Sequence, residues 1–354
     1  MKLWLDALTP KQGRLLAFIA RELSSRGHKT LVTARLYDYT IATMKRCSVE
    51  PIVVGVYGGA SLRGKLEADV ERMRLLLEVV GDDFDVLVAY VNPSAARVAF
   101  GLGKPYVALT DSPHSRAVSL LSLPLASHVV YPSCIPRTEF EHYVDVRRTK
   151  LVPYVGVDEV LWLREFVSSK SILAELGLEE LEYVVVRPPE IWASYHPGSP
   201  GELWLGIVEG LVRRGYTVVY MPRYGAEDPL LRRVEGRVVV PDYEKGVDGP
   251  SLEFFAAAVV TGGATMARES ALLGTPGITL YPGKLYVNEF VSSLGLPLHR
   301  ASSPRQVAEI VDRYARMPRE ELRQRARRVI ENLESPLEPL LRILHSIEAG
   351  LQEQ

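Results

Sequence analysis

Two sets of residues in this sequence combine the right types and spacing to do chemistry. The first is Thr261-Gly262-Gly263-Ala264-Thr265, with Glu269 one turn further on. It follows the apolar run Phe255–Val260, so the pattern predicts a strand ending near Val260 and then a glycine turn. A helix from about Ala264 to Leu273 should come next, stopped by Gly274 with Pro276 beyond. Unpaired amides and the helix dipole converge at such a junction and make it a ready anion site. The amides of Gly262, Gly263, Ala264 and Thr265 are the candidate cradle, and the Thr265 hydroxyl could cap the helix. A tight turn serving packing alone is the competing explanation. Arg187 and Arg223 each follow a strand and can grip a phosphate bidentately or form surface ion pairs. His196 ends a Pro-rich loop, where it can meet a ligand or simply be exposed.

The second set is Asp111 and His114, in a loop directly after the strand Tyr106–Leu109. A carboxylate beside an imidazole suits general acid/base work near neutral pH. The competing explanation makes Asp111 an N-cap ahead of Ser112-Pro113. Asp6, at the carboxyl end of the first strand, is a third candidate for taking a proton. His28, His128, His142, His299 and His345 show no metal-ligand spacing, so no metal is expected. No cofactor is expected either.

The elements that must position these residues alternate along the chain. Strands are predicted at Lys2–Asp6, Thr30–Thr33, Ile52–Val56, Asp85–Ala89, Tyr106–Leu109, Ser127–Tyr131 and Leu151–Val152. Helices run from Thr9-Pro10 to Arg26, over Leu66–Val80 and over Ser94–Leu102, each ended by glycine. After a pause at Pro153–Asp158 the alternation resumes with strands Tyr183–Val186, Thr217–Met221, Val238–Val240 and Ile278–Tyr281. Helices cover Gly201–Arg214, Tyr286–Leu294, Pro304–Tyr314 and Pro318–Leu333, with a last amphipathic one at Glu338–Ala349. Alternation of this kind implies βαβ units and parallel sheets with helices on both faces. Ligands in such sheets sit beyond the carboxyl ends of strands. Asp6, the 55–61 loop, Asn92 and the 110–114 loop should therefore share one rim.

The chain has 354 residues, enough for two domains of ordinary size. Lys+Arg 42 against Asp+Glu 43 gives a formal net charge of -1, which argues against a nucleic-acid partner. Cys47 and Cys134 cannot build a disulfide framework and are expected to be reduced, although one bridge between them stays open. The N-terminus has no signal-peptide h-region and no apolar run is long enough to span a bilayer, so a cytoplasmic protein is expected.

Gly262, Gly263, Glu269, Leu273, Gly274 and Pro276 resemble the nucleotide-binding half of GT-B glycosyltransferases and UDP-N-acetylglucosamine 2-epimerases. In those families the glycine turn meets a diphosphate and the helix glutamate takes the ribose hydroxyls. The whole chain more closely resembles DUF354, a family of uncharacterised archaeal and bacterial proteins grouped with them. The marks are Trp4-Leu5-Asp6 with Thr9-Pro10-Lys11, Arg97–Gly101, Asp111 with His114, Leu123–Ala126, Val186–Pro189 and Gly263–Glu269. The resemblance implies a GT-B-like α/β fold: two doubly wound Rossmann-type domains facing each other across a cleft, with a C-terminal helix crossing back. The expected boundaries are 1–155 for the acceptor and catalytic side, 156–335 for the nucleotide-sugar side and 336–354 for the returning helix. It implies a substrate, a UDP-sugar or similar, and transfer of its sugar to an unknown acceptor, with Asp111, His114 or Asp6 as the base. Epimerisation of the same ligand and a non-catalytic binding module are the alternatives. Thr9-Pro10-Lys11 stands where epimerases carry Arg-Pro-Glu, a departure that weighs against 2-epimerisation.

Overall fold

The computed structural model describes residues 1–189, 201–222, 232–242 and 245–352. The chain forms two compact units, Met1–Trp162 together with Leu333–Gln354, and Leu163–Asn332. In chain order the first carries β1 (Lys2–Ala7), α1 (Pro10–Ser25), β2 (Lys29–Leu36), α2 (Thr40–Arg46), β3 (Ile52–Val56) and α3 (Leu62–Val80). It continues with β4 (Val86–Tyr90), α4 (Pro93–Gly101), β5 (Tyr106–Leu109), α5 (Arg116–Ser122), β6 (His128–Pro132), α6 (Thr138–Glu141), β7 (Lys150–Tyr154) and α7 (Val160–Leu163). The seven strands pair in the order β3-β2-β1-β4-β5-β6-β7, all parallel.

The second unit carries α8 (Ser171–Leu176), β8 (Tyr183–Arg187), α9 (Gly201–Val212), β9 (Thr217–Tyr220), β10 (Val238–Val239), α10 (Gly249–Phe255) and β11 (Ala258–Thr261). Then come α11 (Thr265–Leu272), β12 (Gly277–Thr279), α12 (Tyr286–Ser293), β13 (Leu298–Arg300), α13 (Pro304–Tyr314) and α14 (Arg319–Glu331). Its order β10-β9-β8-β11-β12-β13 repeats the same doubly wound plan, again wholly parallel. Central strands such as Val86–Tyr90 and Tyr183–Arg187 are buried on both faces, as helix-covered parallel sheets require. The last helix, α15 (Leu337–Gln352), returns to the first unit and packs on β6 and β7 through buried Leu340, Ile343 and Leu344.

The strand order reverses between β1 and β4 in the first sheet and between β8 and β11 in the second. A crevice opens beyond the carboxyl ends of strands at such a reversal, because the flanking connections leave on opposite faces. Local chemistry sets the helix starts at the first crevice. Thr9 caps α1 with Pro10 at its first turn, and Asn92 caps α4 by accepting from the Ala95 amide at 3.2 Å.

Several expected boundaries move. Ser61 accepts from the Gly64 amide at 3.0 Å, so α3 starts at Leu62 rather than Leu66. Asp248 accepts from the Ser251 amide at 3.3 Å and nucleates α10, which takes Phe255 out of the strand assigned to it. The three-residue β13 was not anticipated, being too short to show a period. The first unit extends past 155 to Trp162 because Asp158 is tied into it by Lys11, Tyr90 and Tyr154, and Cys47 and Cys134 are not bridged to each other. Among the described residues no helix is long and apolar enough to cross a membrane.

His128 stands opposite Lys150 across the β6–β7 pair, and burial together with that ammonium holds its imidazole down at about 4. The unfolded chain protonates this imidazole near ~6.5. Between those values acid therefore favours the unfolded chain, and stability should fall as pH drops from about 6.5 to about 4. Denaturant unfolding at a series of pH values should show a flatter slope for His128→Leu over that window; an unchanged slope rejects the assignment.

Candidate functional site

At the first reversal the end of β1 carries a carboxylate that water does not reach. Asp6 is 0% exposed; Arg72 Nη2 donates to its Oδ1 at 2.7 Å, the Thr33 hydroxyl also donates to Oδ1, and the Asn92 amide donates to Oδ2. Arg72 comes from α3, in one stripe with buried Leu76 and Val80. Asn92 thus caps α4 with its oxygen and holds Asp6 with its nitrogen. Asp6 fastens β1 to β2, α3 and α4 from inside the protein, an anchoring position rather than one open to a substrate.

A second cluster forms around Lys11 in the first turn of α1, a position where the helix dipole disfavours a cation. Two carboxylates offset that cost: Lys11 Nζ lies 2.5 Å from Asp111 Oδ2 and 2.7 Å from Asp158 Oδ2. The Tyr90 hydroxyl donates to Asp111 Oδ1, stands 3.0 Å from Asp158 Oδ2, and accepts from the Asp111 amide at 2.6 Å. Tyr154 donates to Asp158 Oδ1 at 2.7 Å and Ser112 to Asp111 Oδ1 at 2.6 Å. Burial, then Asp111 and Asp158, push the Tyr90 phenol well up; burial and Asp158 do the same to Tyr154. Both phenols therefore stay protonated and keep donating. Two acids share one ammonium and one Tyr90 proton, so this cluster is well supplied with exchangeable protons. The Lys11 side chain is 14% exposed, the edge from which the cluster can be reached.

At the second reversal β8 and β11 end side by side, with Thr261 paired to Arg187 and the Gly262 amide bonded to the Arg187 carbonyl at 2.9 Å. A Cβ on Gly262 would stand 2.5 Å from the Pro189 nitrogen, so the chain's own backbone requires glycine there. The Thr261 hydroxyl accepts from the Gly263 amide at 3.1 Å, and Thr279 donates to the Gly263 carbonyl at 2.6 Å. The turn is thereby fixed. α11 follows with Ala264 at its N-cap and no side-chain cap, so Thr265 is the first helical residue rather than the cap. The first-turn amides of a helix have no intrahelical acceptors. Glu269 is 4% exposed within α11 and Arg187 is 5% exposed; Arg268 donates to Asn288 Oδ1 at 2.9 Å.

The structure thus brings Arg187, Gly262, Gly263, Ala264, Thr265 and Glu269 to one reversal. Arg223 and His196 lie outside the described residues. Asp111 is not an N-cap, because α5 begins only at Arg116, and His114 is exposed on the intervening loop. Lys11, Tyr90, Asp158 and Arg72 were missed as site residues. A lysine in a helix's first turn and an arginine on an otherwise apolar stripe are the local signals that could have found two of them.

A family model described as "Protein of unknown function (DUF354)" matches residues 1–345. An uncharacterised protein of Methanocaldococcus jannaschii is 25% identical over 292 residues, 80% of this chain and 83% of that one. The UDP-GlcNAc 2-epimerase of the same organism, in complex with UDP-GlcNAc and UDP, superposes with a TM-score of 0.70 at 15% identity, covering 98% of this chain and 100% of the other. The spinosyn forosaminyltransferase SpnP superposes with a TM-score of 0.61 at 15% identity, covering 98% and 99%. At these identities the likeness establishes the fold, a GT-B-like pair of α/β units.

Two variants test the first-unit clusters. Asp6→Ala strands the Arg72 guanidinium and should cost about 3–5 kcal/mol in denaturant unfolding; a loss below about 1 kcal/mol would show that the ion pair does not anchor the rim. Lys11→Met leaves two buried carboxylates together, which raises their folded pKa values. Its stability deficit should shrink as pH is lowered from 8 to 5, and a deficit constant with pH contradicts the shared-ammonium account.

Proposed function

We propose that this chain, which belongs to the DUF354 family, holds a nucleoside-diphosphate sugar on its second unit and transfers the sugar to a hydroxyl-bearing acceptor. The observation that carries this is the convergence, at the β8/β11 reversal, of a fixed glycine turn, an uncapped helix N-terminus, Arg187 and the buried Glu269. In this reading the amides of Gly263, Ala264 and Thr265 and the Arg187 guanidinium meet the diphosphate, and Glu269 accepts from both ribose hydroxyls. The fold-sharing M. jannaschii epimerase holds UDP-GlcNAc and UDP, which favours a uridine nucleotide.

In the transfer, the acceptor oxygen bonds to the anomeric carbon as the bond to the diphosphate breaks. The nucleoside diphosphate leaves with the electron pair, its charge spread over amides and guanidinium. The acceptor's proton passes to a general base, for which Asp111 is the candidate carboxylate. No cofactor is needed in this reading, and the unbridged Cys47 and Cys134 fit a reducing cytoplasm. Epimerisation of the same donor is the second reading. Favouring it, the Lys11–Tyr90–Asp111–Asp158 cluster holds acids that can take and return a proton without any acceptor.

Calorimetric titration should show UDP binding more tightly than 2′-deoxy-UDP. Glu269→Gln should weaken UDP about tenfold, roughly 1.4 kcal/mol, and abolish that preference; a preserved preference removes Glu269 from the ribose. Incubation with UDP-sugars followed by mass spectrometry and NMR separates the reactions. UDP release only with an added acceptor supports transfer, a new epimer without acceptor supports the second reading, and no UDP binding at all rejects both.

A further inference from the structure

Two guanidinium groups and one carboxylate lie together at the carboxyl ends of β1, β2 and β3, away from the Lys11 cluster's ion pairs. Arg72 is 2% exposed; its Nε donates to the Val54 carbonyl at 3.0 Å and its Nη2 to Asp6, while its Nη1 is buried with no acceptor. Arg35, next to last in β2, gives Nη2 to the Leu8 carbonyl at 3.1 Å and also has a buried Nε with no acceptor. Its guanidinium lies 5.1 Å and 5.2 Å from the ring centres of Tyr37 and Tyr57. Lys65 Nζ lies 5.9 Å over Tyr57.

Stacking on tyrosine accounts for the placing of the Arg35 plane. It does not account for the two N–H groups. Buried donors are almost always paired, and an orphan is destabilising. Nor does Asp6 balance both guanidinium groups, because it carries one negative charge and is already ion-paired with Arg72. Burial and the neighbouring Arg72 pull Arg35 down to about 10, still cationic at neutral pH. The cluster thus sets two guanidinium groups against the Asp6 carboxylate and leaves two buried N–H groups without acceptors.

We propose that Arg35 and Arg72, with Tyr37 and Tyr57 beside them, form a binding site for an oxyanion, the phosphate or carboxylate group of a small molecule. Its oxygens take the orphaned N–H groups of Arg35 Nε and Arg72 Nη1, and its charge completes the count against Asp6. Arg35, Tyr37 and Tyr57 are only partly buried, so the ligand enters past the two rings. The site lies wholly in the first unit and is independent of the nucleotide reading of the second.

Calorimetric titration of the full chain with inorganic phosphate, and separately with malonate, at fixed ionic strength tests this. The wild type should bind one of them saturably, phosphate for a phosphoryl ligand or malonate for a carboxylate. Arg35→Met should weaken that binding at least tenfold, and Arg35→Lys, which keeps the charge and loses the fork, should fall between. Arg72 is left intact because its loss strands Asp6. Without anion, Arg35→Met should melt no lower than the wild type, since an uncompensated buried charge is removed, and its UDP binding should be unchanged. No saturable binding of either anion by the wild type, or equal binding by Arg35→Met, overturns the proposal.

Discussion

A carboxylate sealed from water organises the first unit's rim. Asp6 is stable there only because three elements deliver donors to it: Thr33 from β2, Arg72 from α3 and Asn92 at the start of α4. Leaving any donor out would expose a buried charge to a medium that cannot solvate it. The Trp4 indole donates to the Thr33 hydroxyl at 2.8 Å and extends the tie into the core. The loops that leave β1, β2 and β4 therefore start from fixed points. In the first turn of α1, which follows β1, stands Lys11, which gathers Asp111 and Asp158, and just past the end of β2 and β3 stand the tyrosines around Arg35.

The second unit fixes its reversal by different means. It uses close backbone approach instead. Gly262 sits against Pro189, and a Cβ on Gly277 would stand 2.0 Å from the Ala267 carbonyl oxygen, so β12 lies hard against α11. Backbone contact holds a turn's position within narrow limits because nothing in it can rotate away. A site whose donors are amides gains most from that, since amides cannot be moved by side-chain adjustment. The two units thus differ in what fixes the reversal: close backbone contact in one, and buried polar and charged side chains in the other.

Much of this was legible along the chain. The Thr9-Pro10 and Asn92-Pro93 pairs mark helix starts through local capping, and the glycine turn before Glu269 needs only neighbours in sequence. α10 was hidden because its cap, Asp248, sits in a stretch whose polarity reads as loop. β13 was hidden because three residues carry no period. Asp6 was read as a candidate base from its place at a strand's end. Its actual surroundings come from residues 27, 66 and 86 positions away, which no local pattern announces.

The sequence by itself determined the alternating α/β plan, the parallel sheets and the junction at Thr261–Glu269, because periodicity, capping and turn chemistry act over a few residues. Only the tertiary structure decided which strands adjoin, and so where each sheet reverses. It also decided which charges are compensated. Asp111 and Asp158 share Lys11, while Arg72 pairs with Asp6 and Arg35 lies beside that pair. Charge balance in a buried cluster is a property of distance and desolvation, and neither is written into the order of residues along one strand.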